Sequence, residues 1–219
     1  MTYYHFIRIN TDGKPYLGYA DNRIITVGEP VTVEGTPVLC RHGLHASARI
    51  IDALEYCPVG DVALCRVELG GTIIRDTDKS VAQTRTITAM LPVEKTNALL
   101  RDFARWCALS VAHLWDMPSI VREYLETGDK SKRAAAGAAA GAAARSAARS
   151  AAWAAAGDSA MAAARSAAWA AAGDSALAAA GDSAMAAACA ATAMAAAAEG
   201  ASATQEAKLR EMFAKVGGG

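Results

Sequence analysis

Net charge is the first thing this sequence lacks: 22 basic and 22 acidic side chains cancel over 219 residues. The balance is also regional, with 14 basic against 16 acidic residues in 1–130 and 8 against 6 in the remainder. No segment is therefore a basic tail, and no nucleic-acid partner is expected. Cysteine is scarce and odd in number, five without framework spacing, which excludes a disulfide scaffold and fits reduced thiols in a cytoplasm. Aromatic residues make up only 6% of a chain that is 53% hydrophobic, so small and aliphatic side chains carry most of the apolar content. Long uncharged runs are missing as well. The longest in the alanine-rich part, 183–198, falls short of the roughly 20 apolar residues that span a bilayer. Arginine and aspartate recur through that part, so no membrane partner is expected. Thr2–Phe6 reads as strand and not as a charged-then-apolar leader, so no secretory signal is expected.

What the sequence has instead is repetition. Residues 133–192 read as fifteen four-residue words, among them RAAA, GAAA, RSAA, WAAA, GDSA and MAAA. Alanine has the highest helix propensity, so this segment predicts helix. A step of four residues advances roughly 40° around a helix of 3.6 residues per turn. The large residues at eight-residue spacing, Trp153, Met161, Trp169, Leu177 and Met185, therefore spiral around the axis, and no heptad seam forms. Two solutions follow. In one, several helices wrap one another with Gly137 and Gly141 as a small-xxx-small contact. In the other, each Gly-Asp-Ser ends one short helix and caps the next. Mostly continuous helix is favoured, because helices of one to four turns are marginal alone. The segment is expected to make a homo-oligomer.

Ahead of the repeat the chain reads as an α+β domain, a small mixed or antiparallel sheet with packed helices. Strands are expected at 3–9, 16–19, 23–27, 31–33, 62–69, 72–75 and 84–90 from β-branched and aromatic runs between turn residues. Between them Ser47 is expected to cap a helix through Tyr56 that Pro58 stops. From Thr96 the period becomes helical, with Leu99, Phe103, Trp106, Ser110 and His113 on one face. Asp116 is expected to cap a second helix with Pro118 in its first turn and Gly128 at its end. Ser202 to Gln205 is a capping box for a last helix with Leu209, Met212, Phe213 and Val216 on one face, which must bury something. The expected segments are 1–93, a head; 94–128, a helical pair packing on it; 129–200, the repeat; and 201–219, the terminal helix and a frayed end.

Concentrated chemistry lies between Cys40 and Ser47. Cys40, His42 and His45, with Cys57 or Cys65 as a fourth ligand, match no closed zinc-site spacing, and neither metal nor cofactor is expected. His42 or His45 at a strand-to-helix corner is a candidate nucleotide-binding or acid–base group, since imidazole titrates near neutrality. In that reading Ser47 lies at the corner, the helix N-terminus takes a phosphate, and Lys79 or Arg85 supplies a counter-charge. The plainer reading satisfies both histidines by hydrogen bonds at a tight Gly43 turn. Asp78 and Lys79 are either a turn ion pair or the edge of a site.

The order Leu39-Cys40, Gly43-Leu44-His45-Ala46-Ser47, Asp52-Ala53-Leu54, Cys65-Arg66-Val67-Glu68-Leu69-Gly70 and Asp78-Lys79 resembles an uncharacterised domain family of bacteriophage and prophage genomes. Members of that family often carry an alanine-rich repetitive tail. The resemblance covers roughly residues 3–125. It implies a viral protein acting in the host cytoplasm during infection, with no established activity to carry over. A weaker likeness is to the ADP-ribosyltransferase fold, without a credible catalytic Glu motif or a full His-Tyr-Glu set. The expected function is a non-enzymatic protein whose head binds a host or viral protein, an inhibitor of host defence being one such role, and whose tail oligomerises it. The alternatives are a nucleotide-binding or ADP-ribosyltransferase-like enzyme, and a virion stalk of up to roughly 90 Å if sixty residues form one helix.

Overall fold

The computed structural model describes residues 1–18, 21–110, 112, 116–143 and 201–217. The chain divides into two compact units, 1–99 with 206–219, and 100–205.

The first unit is α+β. Its sheet has seven strands: β1 (Tyr3–Ile9), β2 (Pro15–Gly18), β3 (Asp21–Ile24), β4 (Pro30–Thr32), β5 (Leu44–Ala46), β6 (Val62–Arg75) and β7 (Ser80–Met90). The order is β3-β2-β1-β6-β7-β4, with β5 also on β7, and every pairing is antiparallel. β1 and the first half of β6, Val62 to Val67, are central and largely buried, which is why they read as mostly apolar runs instead of alternating ones. Tyr3, Ile7, Ala63, Cys65, Val67 and Ile87 build one core with Ile25 and Ala46. Beyond β5, Ser47 and Tyr4 exchange both backbone hydrogen bonds, at 2.7 and 3.0 Å. That bridge ties the far end of the sheet back to β1, so the sheet curls on itself.

Three local outcomes differ from the expectations. Helix α1 is only Ile50–Glu55, with Arg49 at its N-cap position. Ser47 does not cap it, because Ser47 is paired with Tyr4 in the sheet and the helix begins three residues later. The two expected strands 62–69 and 72–75 are one strand with a bulge, where Gly71 takes φ +69° and the Gln83 side chain accepts from the Thr72 amide at 3.0 Å. β7 starts at Ser80, four residues ahead of the expected edge, because its first residues pair with β5.

The apolar face of the C-terminal helix (Ala201–Lys215) is buried within this unit: Leu209 is fully buried and Phe213 is 5% exposed. Phe213 meets Tyr4 edge-to-face at 5.9 Å, and Arg210 lies over the same ring at 5.3 Å. Arg210 also donates to the Ala48 carbonyl at 3.0 Å. Glu206 completes the contact. Its carboxylate accepts from the Ile51 amide at 2.9 Å, filling a position at the start of α1 that α1's own sequence leaves open. At the other end Lys95 donates to the Val216 carbonyl at 3.1 Å.

Helix α2 (Val93–Ser110) runs through the boundary between the units. In the first unit its Thr96 hydroxyl, fully buried, accepts from the Leu64 amide at 3.1 Å. In the second unit Leu100, Phe103, Ala104 and Cys107 are buried, and Phe103 stacks on Trp106 at 5.9 Å. Helix α3 (Ser119–Thr127) buries Val121, Tyr124 and Leu125 and ends on Gly128 at φ +67°; Pro118, and not the expected Asp116, stands at its N-cap, because the helix starts after the proline. Residues 133–143 are helical, and Ala136, Ala140 and Gly141 are buried while Gly137 is partly so, so this small-residue face is already covered. His113, Trp153, Met161, Trp169, Leu177 and Met185 lie outside the described residues. No helix among the described residues is long and apolar enough to cross a membrane.

Removing the Phe213 ring tests whether the terminal helix is part of the head. We expect Phe213→Ala to destabilise the unit by about 3 kcal/mol in urea unfolding and to speed exchange of the Ile51 amide proton. An unchanged Ile51 exchange rate would show that the helix does not cap α1.

Candidate functional site

The corner that holds the expected site residues is built from backbone hydrogen bonds. Val38 and His42 pair through their backbones at 2.7 and 2.9 Å, which folds 38–42 into a tight loop and puts Cys40 at φ +60°. Gly43 follows at φ +117°, and a Cβ there would meet the Val81 side chain at 2.5 Å and the Ala82 carbonyl at 3.2 Å. Only glycine lets β5 approach β7 this closely. The exposed His42 ring is bonded through Nε2 to the Glu34 carbonyl oxygen at 2.6 Å. His45 accepts from the Cys40 amide through Nε2 at 3.1 Å. Burial lowers its pKa from 6.5, the charges of Arg85 and then Lys79 lower it further, and a backbone bond at Gly43 opposes them. Its imidazole is therefore neutral at pH 7, with Nε2 occupied as an acceptor.

Next to this loop lies the tip of the β6–β7 hairpin. The Tyr56 hydroxyl donates to Asp78, and Lys79 donates to that hydroxyl at 2.9 Å while lying 4.5 Å from the ring centre. The Asp78 bond raises the Tyr56 pKa and lowers that of Asp78 itself. Lys79 is raised, first by its bond to Tyr56. Asp78 and Lys79 thus join through a tyrosine that the sequence pattern did not single out.

Arg85 is the third element. It is 4% exposed, and its guanidinium donates to the His45 carbonyl at 2.7 Å. Burial holds its pKa down at about 10. His5 stands opposite Cys65 in the β1–β6 pairing. Burial pushes His5 well below 6.5, and the charges of Arg85 and then His45 push it further. Burial also raises the Cys65 and Cys57 thiols to about 12, so neither offers a thiolate.

The structure therefore brings His45, Arg85 and Lys79 into one electrostatic neighbourhood, adds His5, and leaves His42 on the far side of the loop bound to Glu34. Ser47 is buried in its bridge to Tyr4. The Ile51 amide at the start of α1 is taken by Glu206, and α1 has six residues, so a phosphate does not find the expected helix terminus. No three His, Cys, Asp or Glu side chains converge among the described residues. His5 was missed because an isolated histidine in an apolar strand carries no pattern; only pairing across β6 reveals its neighbours.

Residues 4–99 match the model of DUF7666, a domain of unknown function. That stretch ends where the first segment of the first unit ends, and it leaves out the C-terminal helix of the same unit. Searches of the curated proteins and of the solved structures find no match.

Both histidines have folded-state pKa values below their unfolded value of 6.5. The folded state resists their protonation while the unfolded state accepts it, so stability is retained above pH 6.5 and is lost as pH falls below it. The lowered carboxylates Asp21, Asp78 and Asp129 act below 3.8 and Glu211 below 4.5, outside this window. Urea midpoints at pH 8, 6.5 and 5 should fall across the last step, and less steeply for His5→Gln; a flat profile would refute the assignment. Replacing His45 with Ala, which frees the Cys40 amide, should cost about 1 kcal/mol in a thermal or urea melt.

Proposed function

We propose that this is a non-enzymatic binding protein, in which the curled α+β head recognises a protein partner and the alanine-rich repeat brings several heads together. One observation carries the reading. The residues that an enzyme would use at the 40–47 corner are held in place: the His42 ring on the Glu34 carbonyl, the His45 ring on the Cys40 amide, and Ser47 buried with its backbone in a two-bond bridge to Tyr4. Groups fixed in this way define a rigid surface and supply no nucleophile paired with a base. The return of the C-terminal helix to the head favours this arrangement over a virion stalk, since the repeat is tethered to packed structure at both of its ends. The resemblance of residues 3–125 to phage and prophage proteins supports a role in the host cytoplasm during infection, and inhibition of a host defence protein fits a multivalent, non-catalytic head.

Light scattering separates the two halves of the proposal. The full chain should be an oligomer, and a variant with Trp153, Met161, Trp169, Leu177 and Met185 all replaced by Ala should be smaller at the same concentration while keeping the head's melting transition. A monomeric full chain would remove the oligomerisation claim and leave the head's binding role to be tested by itself.

A further inference from the structure

Among the described residues Arg85 has no counter-ion. A guanidinium carries five N–H donors and keeps its charge under all ordinary conditions. Arg85 is 96% removed from solvent, and its one partner among the described residues is the His45 carbonyl. No carboxylate forms an ion pair with it there. An enclosed cation without a partner is costly, and arginines are buried in this way where an anion completes the site. The second observation is His5. It is half-buried near the same charge, and its ring has no hydrogen-bond partner among the described residues. His5 lies between Tyr3 and Ile7 on the core side of β1, and Arg85 lies two residues from Ile87 on the core side of β7, so both side chains belong to the inner face of the curled sheet. His5 and His45 each keep part of their surface in water, which gives a small solute an approach.

We infer that Arg85 and His5 form a site for a tetrahedral oxyanion, a phosphate or a phosphate ester group, enclosed by the curl of the sheet. Arg85 supplies a planar pair of donors for two oxygens, and His5 supplies a third when its ring carries a proton at the nitrogen that faces the anion. The groups around His5 are Arg85, His45 and the Cys65 thiol, with Lys79 beyond His45. All of these are cationic or neutral. An anion therefore relieves the repulsion that keeps His5 unprotonated, and binding should take up a proton and tighten as pH falls from 8 to 6. This site is independent of the oligomerisation reading and holds whether the head's partner is a protein or a small molecule.

The test uses the full chain and inorganic ions. Thermal midpoints are measured with sodium phosphate, sodium sulfate, sodium acetate and sodium chloride at constant ionic strength, and then with a phosphate monoester in place of free phosphate. The expected result is a saturable rise with phosphate and sulfate and none with chloride, lost in Arg85→Gln. A larger rise with the monoester identifies an ester group as the natural ligand, and a rise with free phosphate alone identifies the ion. No rise beyond that in chloride, an equal rise in acetate, or an undiminished response in Arg85→Gln overturns the proposal. Should Arg85→Gln fail to fold, the His5 ring resonances of the unsubstituted chain, assigned by their absence in His5→Gln, decide it: sulfate should raise the His5 titration midpoint and leave His42 unmoved. A His5 midpoint indifferent to sulfate overturns the site on its own.

Discussion

The paired backbone bonds between Tyr4 and Ser47 are the constraint on which the head depends. They sit where the last turn of the sheet meets its central strand. Two residues to the N-terminal side of Ser47, His45 in β5 lies against Arg85; three residues to its C-terminal side, α1 begins. On the outer face the Tyr4 ring receives Phe213 and Arg210, so the same residue that closes the sheet also seats the terminal helix. The next residue along β1 is His5, which stands opposite Cys65 of β6 and under the charge of Arg85. Closure, helix placement and the enclosed charges thus share one point of attachment. A pair of hydrogen bonds has this reach because strand register has no intermediate settings: a slip by one residue would exchange the inner and outer faces of the whole strand.

Much of this fold was legible in the residues, and the parts that were not have a common cause. β1, the turn after it, the strand from Val62 and the end of α3 at Gly128 follow from local preference alone. The amphipathic face of the terminal helix was legible too, including the need for it to bury something. Its destination was not, because nothing in a sequence without partners says that Glu206 lies beside Ile51, 155 positions away. The same holds for the start of α1. Ser47 is a good cap by composition, yet a strand pairing with Tyr4 takes its backbone first, and the cap comes from elsewhere. Within the site, the sequence pointed to the histidines flanking Gly43, and local geometry accounts for both. The enclosed group formed by Arg85 and His5 depends on strand register, which no spacing in one strand reveals.

The bulge at Gly71 shows a similar division of labour. By local preference the Gly70-Gly71 pair reads as an interruption, and two strands are expected around it. In the folded unit the Gln83 amide group bridges the extra residue, accepting from Thr72 and donating to the Gly35 carbonyl at 2.9 Å. One side chain therefore keeps a long strand continuous and anchors the loop that leads to the 38–42 turn.

The position of Glu206 has a consequence for how the protein is made. A chain is synthesised from its N-terminus, and α1 with the edge of β1 leaves the ribosome well over a hundred residues before the helix that caps and covers them. Until then Tyr4 presents a bare ring and Ile51 an unanswered amide. The head therefore matures in two stages, and a product that terminates early, anywhere within the repeat, carries an unfinished surface on otherwise native strands. Completeness of the polypeptide is written into the structure of its first domain.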